Sequence, residues 1–421
     1  MGQLFSDTSK NEDNGDLVSS FNAYFKNINT ENKIISQEFM VLIELCVNIG
    51  NIHCANTLIR EALKIIDNAP INIAVTGESG AGKSSFINAL IGIGPEEEGA
   101  AEVGVIETTI KRTSYKHPKI ETLILWDLPG IGTQKFPPKT YLEEVKFKEY
   151  DFFIIVSATR FTKLELDLAR AIRIMKKNYY FVRTKVDMDV ENERKSKSRT
   201  FDREKTLKQI QSYSVKTFNE NNMTVPPIFL ISNYDLSGYD FPVLMDTLIK
   251  DLHVHKRHNF MLSLPNFTEA VIDRKHKAIQ QFIWLEAFIF RVLATFSVVS
   301  IVRDNDVEKL KKNLNHYRKL FGVDDESLEL MAKDFQVPVE QVKEIMKSPH
   351  LLKTNREETL EEKLLKYSEK VASANDELLP TGLYFCGNFY LQFHFLDTVT
   401  EDAKVLLRWT YSKTSSNSTY P

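Results

Sequence analysis

The chain is poor in cysteine, glycine and proline. Its 421 residues include three cysteines, 16 glycines and 14 prolines. Cys46, Cys54 and Cys386 lack the spacing of a metal site, and an odd number leaves one cysteine unpaired. Such usage is typical of proteins of the reducing cytosol. The start of the chain has no basic segment followed by an apolar one, so no secretory signal is predicted.

The chain also lacks a surplus of either charge and a clean membrane span. Its formal net charge of −3 does not favour nucleic acid as a partner. Phe282–Val302 is nearly continuous apolar sequence, but it contains Glu286 and Arg291, each costing about 2.5–3.5 kcal/mol at a bilayer centre. A buried helix therefore explains this segment better than a transmembrane one.

A phosphate-binding loop is predicted at Gly77–Ser84, where the sequence reads G-x-x-x-x-G-K-S. The apolar run Ile71–Val75 precedes it and a helical stretch follows. In such a loop the backbone N–H groups surround phosphate oxygens at a helix N-terminus. Lys83 reaches the β- and γ-phosphates, and the Ser84 hydroxyl binds Mg²⁺. The predicted nucleotide contacts here are Gly77, Glu78, Ser79, Gly80, Ala81, Gly82, Lys83, Ser84 and Ser85.

Three further motifs favour GTP over ATP. The apolar strand before D-x-x-G ends at Asp127, which we expect to hold the Mg²⁺ shell, and the Gly130 N–H meets the γ-phosphate. In T-K-x-D, the Asp187 carboxylate accepts the two guanine donors that adenine lacks. The remaining expected base contacts are Thr184, Lys185, Ser232 and Asn233. Each motif follows a predicted strand, at the sheet edge where open α/β folds bind ligands.

The segment between the first two motifs, Glu96–Thr109, is the predicted switch region. A GTPase needs a hydroxyl there that contacts Mg²⁺ and the γ-phosphate. Thr108 and Thr109 are both candidates, with Thr109 assigned to the metal as the working prediction. Gly130 is followed by Ile131, where Ras-like enzymes have a water-orienting glutamine, so a second subunit is expected to complete the catalytic site.

The pattern of elements predicts a Ras-like P-loop α/β domain with a doubly wound, mostly parallel sheet at 69–252. Helical periodicity in 34–67 and from 253 to about residue 411 predicts an all-helical domain built from the two ends of the chain, 1–68, which begins with a flexible acylated stretch, and 253–421. The charged, apolar-poor segment Val190–Thr200 is predicted to be a loop. The predicted strands are Ile71–Val75, Thr122–Trp126, Phe152–Ser157, Tyr179–Arg183 and Ile228–Ile231.

Two features bear on membranes. The start, M-G-x-x-x-S, predicts N-myristoylation of Gly2. The aromatic stretch Leu383–Phe395 fits either an amphipathic membrane helix or core of the helical domain, and we favour the core.

With the motifs GESGAGKSS, WDLPGIGT, TKVD and EYDFFIIVSATRF, the chain resembles the interferon-inducible immunity-related GTPases of the GKS subgroup. The resemblance covers essentially the whole chain. It implies a myristoylated, dynamin-like GTPase that acts on membranes of pathogen-containing vacuoles. It also implies a cytoplasmic protein, peripherally bound to those membranes or to the endoplasmic reticulum or Golgi.

The same resemblance implies GTP-dependent homodimers and higher oligomers, and association with related GTPases. It further implies that Glu78 contributes to catalysis across the dimer. Val103 departs from the family pattern, which has threonine there, and it cannot supply a hydroxyl contact. Two alternatives remain: a GTP-gated scaffold with vestigial hydrolysis, and a ribosome-assembly GTPase, against which the charge balance argues.

Overall fold

The structure is a computed structural model in which two compact units are distinguished. One is Ala69–Phe267, and the other combines Met1–Asn68 with Thr268–Pro421. The first unit continues past Leu252, where the sequence placed the end of the G domain, and includes one further helix. The structure describes residues 24–25, 28–104, 112–129, 141, 143–159, 161–293, 304–354, 359–360, 362–364, 366 and 387–417.

A six-stranded sheet of order β2-β3-β1-β4-β5-β6 forms the centre of the first unit. All neighbouring strands are parallel except the β2–β3 pair, which is antiparallel. The predicted α/β fold class is therefore confirmed. The strands are β1 (Ile71–Gly77), β2 (Thr113–Lys116), β3 (Leu123–Asp127), β4 (Phe152–Ser157), β5 (Asn178–Arg183) and β6 (Ile228–Leu230).

The burial of their side chains explains which strands could be predicted from the sequence. β4 is buried along its whole length, and β1 is buried at all but one position, so both read as continuous apolar runs. β2 was not predicted, because this edge strand pairs on one side and has no fully buried side chain. The sheet carries the site at the carboxyl ends of its parallel strands.

Six α-helices and a 3-10 turn whose bounds the structure gives follow or flank the strands of this unit. Helix α5 corrects the prediction of a loop at Val190–Thr200, because residues 186–196 are helical. The helices are α3 (Lys83–Ile91), α4 (Lys163–Ile174), α5 (Val186–Ser196), α6 (Arg203–Glu220), α7 (Phe241–Asp251), α8 (Val254–Ser263) and a 3-10 turn at Phe147–Glu149.

Helix α5 has a narrow apolar face and ion pairs along its exposed side. It buries only Val186 and Val190. Glu191 pairs with Arg194 at 2.9 Å and with Lys195 at 3.4 Å, at the three- and four-residue spacings that suit a helix. Apolar periodicity could not reveal a helix of this kind.

The second unit is helical in the described residues, and both ends of the chain contribute to it. Gln281 accepts a hydrogen bond from the Ile34 N–H at 3.3 Å and donates one to the Asn32 carbonyl at 2.9 Å. Its helices are α1 (Gln37–Asn48), α2 (Ile52–Asn68), α9 (Glu269–Leu293), α10 (Asp304–Leu320), α11 (Asp325–Asp334), α12 (Val339–Glu344) and α13 (Gly387–Asn417).

Two contacts between helices were not predicted. Cys46 of α1 and Cys54 of α2 lie side by side, with their Cα atoms 5.8 Å apart. Helices α9 and α13 are joined by two ion pairs and a histidine–carboxylate contact at 2.7–2.8 Å. These are Glu269–Arg408, Asp273–Lys404 and His276–Asp397.

Both apolar segments considered for the membrane lie in the core where they are described. Within α9, Trp284 and Phe288 are buried, and Phe393 and Phe395 are buried in α13. The core interpretation of these two segments is therefore confirmed over their described parts. Among the described residues, no helix is long and apolar enough to cross a bilayer.

Candidate nucleotide site

The loop between β1 and α3 has the backbone that its glycines allow. Gly77 has φ of 145°, and a Cβ there would lie 2.0 Å from the Val156 carbonyl oxygen of the neighbouring strand. Gly80 and Gly82 have φ of 73° and 88°, in the left-handed region that side chains disfavour. Helix α3 begins at Lys83 directly after this turn, so its N-terminal N–H groups face the loop.

The two side chains predicted to serve phosphate and metal lie where the helix begins. Lys83 is buried, and its Nζ donates to the Glu78 carbonyl at 3.1 Å, folding over the loop. The Ser84 hydroxyl donates to Asp127 Oδ2 at 3.0 Å. Serine from the first motif and aspartate from the second are thus in contact. The Ser84 and Asp127 side chains both offer oxygen atoms as metal ligands, the ligand type that Mg²⁺ prefers.

The base motifs hold the phosphate loop through its carbonyl groups. Three consecutive loop carbonyls each accept a side-chain hydrogen bond from these motifs. Lys185 Nζ donates to Gly80 O at 3.0 Å, Thr184 Oγ1 to Ala81 O at 2.6 Å, and Asn233 Nδ2 to Gly82 O at 3.2 Å. Motifs separated by about 100 or more residues in sequence are therefore assembled into one site.

The segment carrying Asp187 turns sharply out of strand β5. Lys185 has φ of 57°, a left-handed conformation at a residue with a side chain, and α5 begins at the next residue. Asp187 lies in the first turn of α5, half-buried. After β6, the Ser232 hydroxyl accepts the backbone N–H groups of Tyr234 and Asp235, which shapes the second base loop.

The described part of the predicted switch, 96–104, is tied to helix α3. Asn88 donates to the Ala101 carbonyl at 2.9 Å and accepts the Ala101 N–H at 2.7 Å. Val103 is half exposed at 50%. Of the predicted contacts, Thr108, Thr109 and Gly130 lie outside the described residues, as does Gly2.

Two residues near the loop were missed by the sequence analysis. Glu165 is fully buried in the first turn of α4, where it forms a capping box with Thr162. Burial raises the pKa of its carboxyl to about 7, hydrogen bonds from Thr162 oppose this, and the nearby charge of Glu78 adds to it. The T-x-x-E pattern at 162–165 is a capping signal, but nothing in it reveals the proximity to Glu78.

Tyr141 is the second missed residue. Its hydroxyl donates to the Pro129 carbonyl at 3.0 Å and lies 2.9 Å from Thr76 Oγ1. The completely buried ring thereby fixes the segment after Asp127 to strand β1. No spacing links this tyrosine to the motifs, so only the structure identifies it.

A glycine-rich loop between a buried strand and a helix, with its carbonyls bound by T-K-x-D and S-N side chains, defines the chain as a P-loop GTPase. Its relatives agree. Interferon-inducible GTPase 1 of Mus musculus is 54% identical over 408 residues, which cover 97% of this chain and 98% of that protein. Interferon-gamma-inducible GTPase 10 of Mus musculus is 48% identical over 392 residues, covering 93% and 94%.

The model of the interferon-inducible GTPase family matches residues 36–410. The chain therefore belongs to the interferon-inducible GTPase family and is a GTPase, as the motifs predicted. Among solved structures, a variant of Aquifex aeolicus Era bound to GDP and aluminium fluoride aligns with 43% of this chain and 56% of that one. That alignment has 21% identity and a TM-score of 0.29, so it carries no functional argument.

Proposed function

We propose that this GTPase binds GTP with Mg²⁺ across the loop Gly77–Ser85 and hydrolyses it to GDP and phosphate. The observation that carries this assignment is the set of three hydrogen bonds from Thr184, Lys185 and Asn233 to the phosphate loop. They link the base-recognising segment directly to the loop that surrounds the phosphates. Asp187 then accepts guanine N1–H and N2–H, while the loop N–H groups and Lys83 hold the transferred phosphate.

The Ser84 and Asp127 oxygens fit a magnesium ion, with Thr109 as a further candidate ligand. A magnesium ion held there would supply positive charge against the negative charge that develops on the transferred phosphate. The chain supplies the oxygen donors and keeps them in place through the 3.0 Å contact between Ser84 and Asp127.

Nucleotide binding and GTP hydrolysis, measured for the unmodified protein and three variants, test the assignment. Lys83→Ala removes the charge at the transferred phosphate and should abolish hydrolysis in a folded protein. Asp187→Asn should lose the preference for GTP and accept xanthosine triphosphate, because an amide pairs with the xanthine edge. Lys208→Ala, an exposed lysine on α6, should change neither property. Equal affinity of the unmodified protein for GTP and ATP would contradict the assignment.

We further propose that catalysis is completed by a second copy of the chain, in homodimers and larger assemblies, and that related GTPases join them. Ile131 cannot orient a water molecule, so each subunit lacks that group. Glu78 is exposed at the outer surface of the loop, where a partner subunit can reach it. The mass in solution should increase with a non-hydrolysable GTP analogue and not with GDP. A monomer in both states would contradict this proposal.

As a GTPase of immunity, the protein is proposed to act in the cytoplasm at intracellular membranes, including those of pathogen-containing vacuoles. The support is the M-G-x-x-x-S start, which predicts a myristoyl group on Gly2. One such chain binds membranes reversibly, so assembly on GTP supplies the additional retention.

Gly2→Ala should release the protein from membranes even with GTP bound. Lys83→Ala should weaken retention while the acyl group is still attached. Fractionation of cells expressing each variant measures both effects. Unchanged membrane association of Gly2→Ala would show that the acyl proposal is wrong.

A further inference from the structure

Arg183, at the end of strand β5, makes contacts that none of the predicted site residues explains. Its side chain is 6% exposed. Nη1 donates to the Thr184 carbonyl at 2.7 Å, and Nη2 donates to Asp189 Oδ2 at 2.5 Å. The guanidinium thus bridges the two sides of the segment that carries Asp187. Its planar, forked donors suit such a two-sided contact in a way that a lysine does not.

The bridged segment needs a restraint. Lys185 within it holds a left-handed φ of 57°, a conformation with an energetic cost for a residue with a side chain. Thr184, whose carbonyl Arg183 binds, also uses its hydroxyl to bind Ala81 of the phosphate loop. Arg183 therefore holds Thr184, the residue through which the base segment is hydrogen-bonded to the phosphate loop.

The Arg183–Asp189 pair also lies close to a second carboxylate, that of Asp187. Burial raises the pKa of Asp189, Arg183 opposes this, and the like charge of Asp187 raises it again. The two aspartates therefore repel each other near the base site. Because Arg183 pairs with Asp189, the negative charge of Asp189 beside Asp187 is compensated.

We propose that Arg183 and Asp189 form a positioning pair that sets guanine selectivity by fixing the Asp187 carboxylate. The pair does not touch the nucleotide; it acts through the Thr184 peptide and the first turn of α5. This inference rests on the proposed reading of guanine by Asp187.

The experiment compares binding of GDP and inosine diphosphate (IDP), which lacks the 2-amino group, by calorimetry. Loss of either partner alone leaves a buried charge unpaired, which can unfold the protein. The double variant Arg183→Met with Asp189→Leu removes both charges together, an exchange that proteins often tolerate. Arg183→Lys keeps the charge but loses the fork. Arg194→Met breaks the exposed pair with Glu191 on the same helix and is the matched control.

The unmodified protein should prefer GDP, because the IDP base leaves one Asp187 acceptor without its donor. In the double variant, the affinity for GDP should fall about tenfold, the scale of one hydrogen bond to a charged group. IDP affinity should fall less, so the preference shrinks. Arg183→Lys should lie between, and Arg194→Met should match the unmodified protein. General destabilisation of the fold would instead weaken the binding of GDP and of IDP equally.

A double variant with an unchanged thermal midpoint and an unchanged GDP-to-IDP ratio would overturn the inference. If it does not fold, the ratio in Arg183→Lys decides in the same way. Asp187→Asn separates this failure from that of the proposed function. If Asp187→Asn loses the preference while the Arg183 variants keep it, only the positioning role is wrong. If the unmodified protein has no preference, the guanine assignment itself is wrong.

Discussion

Glu165 illustrates what a single buried residue near the phosphate loop implies for stability. Its carboxyl has a pKa of about 7 in the folded protein, raised chiefly by burial from the ordinary value of 4.5. Between these pH values the unfolded chain releases the proton while the folded chain keeps it. Stability from this group is therefore fully present below about pH 4.5 and is lost as pH rises to about 7.

Glu165→Gln keeps an acceptor for the Thr162 N–H and cannot ionise. The variant should be more stable than the unmodified protein above pH 7, by about 3 kcal/mol, with the advantage disappearing towards pH 4.5. Thermal midpoints measured across this range provide the test. A difference in midpoint that is constant with pH would show that the carboxyl does not titrate as described.

At the scale of single side chains, the motif residues were predictable and their restraints were not. Lys83, Ser84, Asp127 and Thr184 occur at fixed spacings after apolar strands, which the sequence displays. Arg183 depends on the folding of a distant turn, so no local pattern identifies it. The carbonyl-binding role of Thr184 likewise appears only when β5 lies beside the phosphate loop.

At the scale of elements, the sequence predicted those with an apolar signal. Strands β1 and β4 are buried and were predicted within two residues of their bounds. Strand β2 exposes most of its side chains, and α5 buries only Val186 and Val190, so neither has the periodicity on which the prediction relied. The proximity of Cys46 and Cys54 depends on a helix pairing that cysteine spacing does not encode.

Helix α13 gives a prediction at the same scale. Phe393 is 5% exposed, so Phe393→Ser should leave a cavity and bury a hydroxyl. The expected cost is about 3–5 kcal/mol, seen as a large fall in the thermal midpoint. Tyr411→Ser, on the same helix but 47% exposed, should change the midpoint little and is the matched control.

The opposite result would reopen the membrane alternative for this helix. If Phe393→Ser kept the midpoint of the unmodified protein and lost membrane binding, the side chain would be a surface contact. The burial of Leu391, Phe393 and Phe395 in the helical unit predicts that this does not occur.

At the scale of the whole molecule, the described part of the site contains the groups proposed for nucleotide binding, while the sequence has no water-orienting glutamine after Gly130. The phosphate loop, the base motifs and the proposed metal ligands Ser84 and Asp127 belong to the same unit, Ala69–Phe267. Ile131 occupies the position of the water-orienting residue, and Glu78 is exposed at the surface of the loop. A second copy of the chain is the source we propose for the missing contribution.

We propose that hydrolysis by this GTPase depends on its own assembly, and the rate of GTP hydrolysis per molecule, measured against protein concentration, tests this dependence. Unmodified protein should hydrolyse GTP slowly when dilute and increasingly fast per molecule as concentration rises. Glu78→Ala should bind GTP but flatten that rise. A rate per molecule that stays constant over a wide range of dilution, with or without Glu78, would contradict the claim.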